Sequence, residues 1–90
     1  MSETNEQQDI DELIRELNTR NLVLYNDNDN TFDWVIHNLM TICDHTIIQA
    51  EQCAQVANSK GKCKIKSGSY EDLEIIHMAL SENKLTVEIQ

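Results

Sequence analysis

Proline is absent from the chain, and glycine occurs only at Gly61 and Gly68. Collagen-like, proline-rich and glycine-rich linker architectures are therefore excluded. Aromatic residues are also scarce, with one Trp, one Phe and two Tyr, so the core must be aliphatic and thin. Basic residues number seven against sixteen acidic ones, a net charge of -9, with a pI of about 4.5. Nucleic-acid binding depends on neutralising phosphates, and this balance has the wrong sign for it. It is equally wrong for an anionic membrane surface, and no apolar run approaches the roughly 20 residues of a spanning helix. The segment Met1–Gln8 is polar and acidic, unlike a signal or transit peptide. A cytoplasmic monomer with no nucleic-acid or membrane partner is expected. Ninety residues make one small domain.

Catalytic signatures are missing too. His37, His45 and His77 are scattered, and no glycine-rich phosphate loop occurs, so the chain is not expected to be an enzyme. Cys43, Cys53 and Cys63 are odd in number and lack the C-x-x-C spacing of structural zinc sites. Buried free thiols are the expectation, with no metal or other cofactor. A metal- or redox-responsive role for the three cysteines is the alternative from a different functional class.

Near the N-terminus, Met1–Gln7 reads as a disordered tail. Ile10, Leu13, Ile14 and Leu17 then follow the i, i+3, i+4, i+7 pattern of a short amphipathic helix. Residues 1–20 are thus expected to form a flexible acidic extension, and residues 21–90 the core domain. Leu22–Tyr25 reads as a strand. A helix capped by Asn30 or Thr31 follows, with Val35, Ile36, Leu39, Met40 and Cys43 on its apolar face. Thr46 and Gln49 make a capping box for a second helix, whose face of Ala50, Cys53, Ala54 and Ala57 lets another element approach closely. His45 falls in the turn between these helices. From Lys62 the period becomes two: Cys63, Ile65 and Ser67 alternate with Lys62, Lys64 and Lys66 as a half-buried strand. Ser69 caps a third helix bearing Leu73, Ile76 and Leu80. Leu85, Val87 and Ile89 alternate in a final strand. The fold class is therefore α+β: a small three-stranded antiparallel sheet with three helices on one face, in the order strand-helix-helix-strand-helix-strand.

The segment Asn26-Asp27-Asn28-Asp29-Asn30 can be a turn plus a cap. It also gathers two carboxylates and three amides, all hydrogen-bond acceptors for an ammonium group, next to apolar Phe32 and Val35. Acceptors beside an apolar hollow suit a ligand with a cationic head and a hydrophobic body. A peptide N-terminus with a large first side chain is such a ligand.

The stretch Leu24-Tyr25-Asn26-Asp27-Asn28-Asp29-Asn30-Thr31-Phe32-Asp33-Trp34-Val35-Ile36 resembles a segment of the ClpS adaptor family. That family reads Leu-(any)-Asn-Asp-Asp, a short turn, then Met or Phe, an acid, an aromatic and Val. Gln49-Ala50-Glu51-Gln52-Cys53, Lys60-Gly61-Lys62-Cys63 and Ser67-Gly68-Ser69 resemble the rest of it in its bacteroidete form. The resemblance implies an adaptor that binds destabilising hydrophobic N-terminal residues and delivers their proteins to a Clp AAA+ unfoldase, docking on the unfoldase's N-terminal domain. It places the peptide α-amino group against Asn26, Asn28 and Asn58, where the family has Asn, Asp and His, with Asp27 and Asp29 flanking. It assigns Tyr25, Phe32, Val35, Ala54 and Ala57 to the hydrophobic pocket, Phe32 standing at a gate that is often Met. Glu71 matches an acidic unfoldase-docking position, while Ile76 stands where a basic one is usual. An alternative within the family is a module that docks on the unfoldase but has lost or altered recognition of N-terminal residues.

Overall fold

The computed structural model describes residues 3–90, and their side chains from Glu6 onwards. The chain runs α1 (Glu3–Asn18), β1 (Arg20–Tyr25), α2 (Phe32–Ile42), α3 (Ile47–Lys60), β2 (Lys62–Gly68), α4 (Tyr70–Glu82) and β3 (Thr86–Ile89). The α+β arrangement with an antiparallel three-stranded sheet matches the reading of the sequence. The sheet order is β2-β1-β3, so the apolar strand is central and the lysine-bearing strand lies at an edge, where charge discourages further pairing.

The N-terminal helix begins earlier than its apolar stripe predicts. It starts at Glu3 rather than near Ile10, and Gln7 Nε2 donates to Asp11 Oδ1 at 3.0 Å across one turn. Met1 and Ser2 of the expected tail lie outside the described residues. Ile10, Leu13, Ile14 and Leu17 are all at least half exposed, so this stripe does not add to the core.

That core is aliphatic. Leu22, Leu39, Leu73 and Leu80 are fully buried, joined by Leu24, Ala50, Ala57, Ile65, Leu85 and Val87. Leu22 and Leu24 face the helices, so strand alternation turns Val23 and Tyr25 to the other face of the sheet. The lysine strand is less regular than its pattern predicts. Register passes from Leu22 opposite Lys66 to Val23 opposite Lys64, which leaves Ile65 as the extra residue of a bulge. Ile65 is buried and Cys63 half-buried. Ser67 is exposed, its hydroxyl donating to Asn21 Oδ1 at 2.8 Å.

Helix ends follow local chemistry. Thr46 and Gln49 form the expected capping box, Thr31 caps α2, and Ser69 caps α4 through the Asp72 amide. Gly61 ends α3 with φ 94° and nothing within 4 Å of a would-be Cβ, so glycine is there for its backbone conformation alone. The end of α4 also passes through a left-handed residue, here without glycine. Lys84 has φ 72°, with Lys84 N–H on Ser81 O and Leu85 N–H on Leu80 O, each at 3.0 Å. This is the double hydrogen bond of a Schellman motif. A buried polar strap fastens α2 to this end. Fully buried Asn38 donates to Trp34 O at 2.8 Å and accepts from Asn83 Nδ2 at 2.6 Å, and Trp34 Nε1 donates to Asn83 O at 3.0 Å.

A non-glycine residue in the left-handed region costs about 1 kcal/mol or more. Lys84→Gly is therefore expected to raise stability by roughly 0.5–1 kcal/mol in urea unfolding, because glycine's own entropic cost offsets part of the relief. An unchanged or lower unfolding midpoint would show that Lys84 is not strained.

Candidate functional site

A cavity of about 220 Å³ opens between the Asn26–Asn30 loop, α2 and α3. It is smaller than the roughly 300–1,000 Å³ of drug-sized pockets, and suits a single side chain. Leu24 and Leu85 come from the sheet side, Phe32 and Val35 from α2, and Ala54, Ala57 and Asn58 from α3. Asn26, Asp27, Asn28 and Asn30 form its polar rim. The hollow exists because α3 turns alanines towards it. Ala54 and Ala57 are buried, yet their methyl groups leave space that longer side chains would fill.

The structure brings together nearly all the residues expected to share a site. Asn26, Asp27, Asn28, Asn58, Tyr25, Phe32, Val35, Ala54 and Ala57 all border this one cavity. Asp29 does not; it is exposed on the outside of the loop. Glu71 lies away from it, in the first turn of α4. Tyr25 meets the cavity at its backbone end, since alternation sends its ring to the outer face, where its hydroxyl accepts from Gln90 Nε2. Leu24 and Leu85 were not expected at the site. The period-two pattern at Leu85, Val87 and Ile89 marks Leu85 as inward, but it does not say that a cavity lies there.

Asp27 organises the rim. Its Oδ1 accepts from the Asp29 and Asn30 amides and from Asn30 Nδ2, and its Oδ2 accepts from Asn30 Nδ2 and Thr86 Oγ1, each at 3.0 Å. Asn30 Nδ2 also reaches Lys84 O at 2.9 Å. The loop is thus tied to β3 and to the α4–β3 connection. At its other end, Asn26 N–H donates to Gly61 O at 3.0 Å. Burial of Asp27 favours its neutral form. The hydrogen bonds from Asn30, Thr86 and the two loop amides outweigh that and hold its carboxyl below the usual value. A lowered folded-state pKa means that Asp27 stabilises the fold fully above its unfolded value near pH 3.9 and loses this as pH falls through the folded value.

The thiols form a separate group on the other side of α3. Cys43 and Cys53 are buried, Cys63 is half-buried, and all three are free. Burial pushes the Cys43 thiol up to about 11. Burial, then neighbouring Cys63 and Cys43, push Cys53 higher still. Such thiols are poor nucleophiles and poor ligands at neutral pH. Among the described residues, no group of three or more His, Cys, Asp or Glu is placed to hold a metal ion. His45 Nε2 lies 2.8 Å from Ile65 O, and His77 Nε2 lies 3.0 Å from Val87 O. A carbonyl only accepts, so both Nε2 atoms carry the proton and both rings act as ties to the sheet.

Two outcomes follow. Asp27→Asn is expected to destabilise the fold near pH 7, with the deficit shrinking as pH drops below about 4. Chemical denaturation at several pH values checks this, and a deficit independent of pH would contradict the role of the ionised carboxylate. Thiol titration with an aromatic disulfide reagent is expected to find one fast-reacting thiol, Cys63, in the native state. Uniformly fast reaction would contradict the burial of Cys43 and Cys53.

Comparison with known proteins agrees with this architecture. The model of the family described as "ATP-dependent Clp protease adaptor protein ClpS" matches residues 15–88, from the end of α1 into β3. A search of curated proteins finds no match. No helix among the described residues is long and apolar enough to cross a membrane. A family match over most of the chain, on the same fold and with the cavity inside the matched span, settles the assignment: the chain belongs to the ClpS family of Clp protease adaptors.

Proposed function

We propose that this adaptor binds a substrate protein by a large hydrophobic N-terminal residue and presents it to a Clp AAA+ unfoldase, acting by holding two partners rather than by catalysis. The observation that carries the reading is a cavity that joins a polar rim to an apolar end. The first side chain of the peptide enters between Val35, Ala54, Ala57 and Leu85, with Phe32 at the mouth, where it is 41% exposed. The terminal nitrogen then faces Asn26, Asn28 and Asn58, and Asp27 and Asp29 add longer-range attraction. Burying one such side chain contributes about 1.5–3 kcal/mol, so the apolar end supplies much of the affinity.

Unfoldase docking is assigned to the α4 face around Glu71. Glu71 and Ile75 share that face at i, i+4 spacing, and Tyr70, Ile75 and Met78 beside it are 53%, 71% and 58% exposed. Exposed apolar side chains next to a charge are the usual make-up of an interface core and its rim. Ile76 instead packs against the hydrophobic core and is not part of this surface. Residues 1–20 form the extension, and residues 21–90 the domain that holds both partners, in the cytoplasm of a bacterial cell.

Fluorescence anisotropy with short peptides starting in Leu, Phe, Tyr or Trp is the test. Micromolar or tighter binding is expected, weakened at least tenfold by Val35→Trp, which fills the cavity. No binding at high micromolar concentration, or binding indifferent to Val35→Trp in a folded variant, would overturn the reading.

A further inference from the structure

The rim of the cavity contains a carboxylate that has no capacity left for a ligand. An ionised carboxylate offers about four lone-pair sites, and Asp27 already accepts from four donor groups of the protein, the Asp29 and Asn30 amides, Asn30 Nδ2 and Thr86 Oγ1. Asn30 is similarly committed, its NH₂ group shared between Asp27 and Lys84 O. The polar groups still open are the side-chain amides of Asn26, Asn28 and Asn58. All three are exposed at the rim, and none of their side chains has a hydrogen-bond partner among the described residues.

Each carboxamide presents both an acceptor and two donors. An ammonium group has only donors, so it engages the three oxygens and leaves every NH₂ to water. An acylated peptide N-terminus has one N–H and one carbonyl, and so uses both halves of a carboxamide. The cationic form gains no direct carboxylate contact in compensation. The protein's net charge of -9 acts on it only through solvent, where salt screens charges over about 8–10 Å. There is room for an acyl group as well, because the loop side of the cavity opens to solvent at Asn26 and Asn28.

We infer that the site reads the head of its ligand as an amide-like hydrogen-bonding group rather than as a cation, and therefore accepts N-acylated peptide N-termini, formyl or acetyl, that carry a large apolar first side chain. This rests on the cavity being the peptide site proposed above. Asn28 and Asn58 are the residues that set the specificity, since a carboxylate at either would favour the ammonium form.

Three peptides of one sequence, with free, formylated and acetylated N-termini, are titrated against the full chain by fluorescence anisotropy. Dissociation constants within tenfold of one another are expected. Asn28→Asp is expected to move the ratio beyond tenfold in favour of the free amine, with Asn58→Asp as the second variant and thermal melts confirming that both fold. Loss of more than tenfold on acylation of the peptide, with the unmodified protein, overturns this inference alone and leaves the adaptor reading standing. Failure of all three peptides to bind overturns both. A ratio unmoved by either Asp variant shows that the peptide head lies elsewhere and also overturns the inference.

Discussion

The Asp27 carboxylate is the point on which the rest of the site depends. Five neighbouring Asn and Asp residues have little tendency to hold one shape in water, because each side chain can satisfy several alternative turns. Asp27 selects one of them by accepting from Asn30, from two loop amides and from Thr86, a residue 59 positions further along the chain. That choice holds the loop against β3 and sets the rim opposite α3. The same hydrogen bonds leave the carboxylate no direct hydrogen bond to offer a ligand, only its charge at longer range. A group that looks like an electrostatic anchor in the sequence is a structural one in the fold.

The hollow beneath the rim comes from a second constraint, the size of the side chains on α3. Alanines at positions 50, 54 and 57 are all buried. Ala50 and Ala57 belong to the packed core, whereas Ala54 and Ala57 also face the cavity. A stripe of small residues thus lets the helix lie close to the sheet along one line and leaves unfilled volume beside it. The volume is not a sealed void, since its rim of Asn26, Asp27, Asn28 and Asn30 opens it to solvent. The strap of Trp34, Asn38 and Asn83 fixes α2 to the end of α4.

Much of the fold was legible because it rests on local rules. The cap at Thr46 and the cap at Ser69 are short-range events, and the sheet strands announce themselves by alternation. The bulge at Ile65 was not legible, since nothing in Cys63–Ser67 says which strand residue lacks a partner. The full length of α1 is not visible in the sequence because its first turns carry no apolar stripe. At the site, residue types singled out the Asn26–Asn30 loop with Phe32 and Val35, and the family resemblance added Asn58, 28 positions beyond Asn30. They could not separate the carboxylate of Asp27, which is consumed within the fold, from that of Asp29, which is turned outward. That distinction depends on Thr86 and Lys84, contacts made only when β3 closes the sheet.

The central claim is that one cavity, bounded by the Asn26–Asn30 loop, α2 and α3, is where a peptide N-terminus is held. Amide chemical-shift mapping on the ¹⁵N-labelled full chain, titrated with a peptide beginning in Leu or Phe, addresses it directly. The account predicts saturable shifts concentrated at Asn26–Asn30, Phe32, Val35, Ala54, Ala57, Asn58 and Leu85, with the exposed face of α4 at Tyr70, Ile75 and Met78 unmoved. Shifts centred on α4, on the outer face of the sheet, or absent altogether would contradict it.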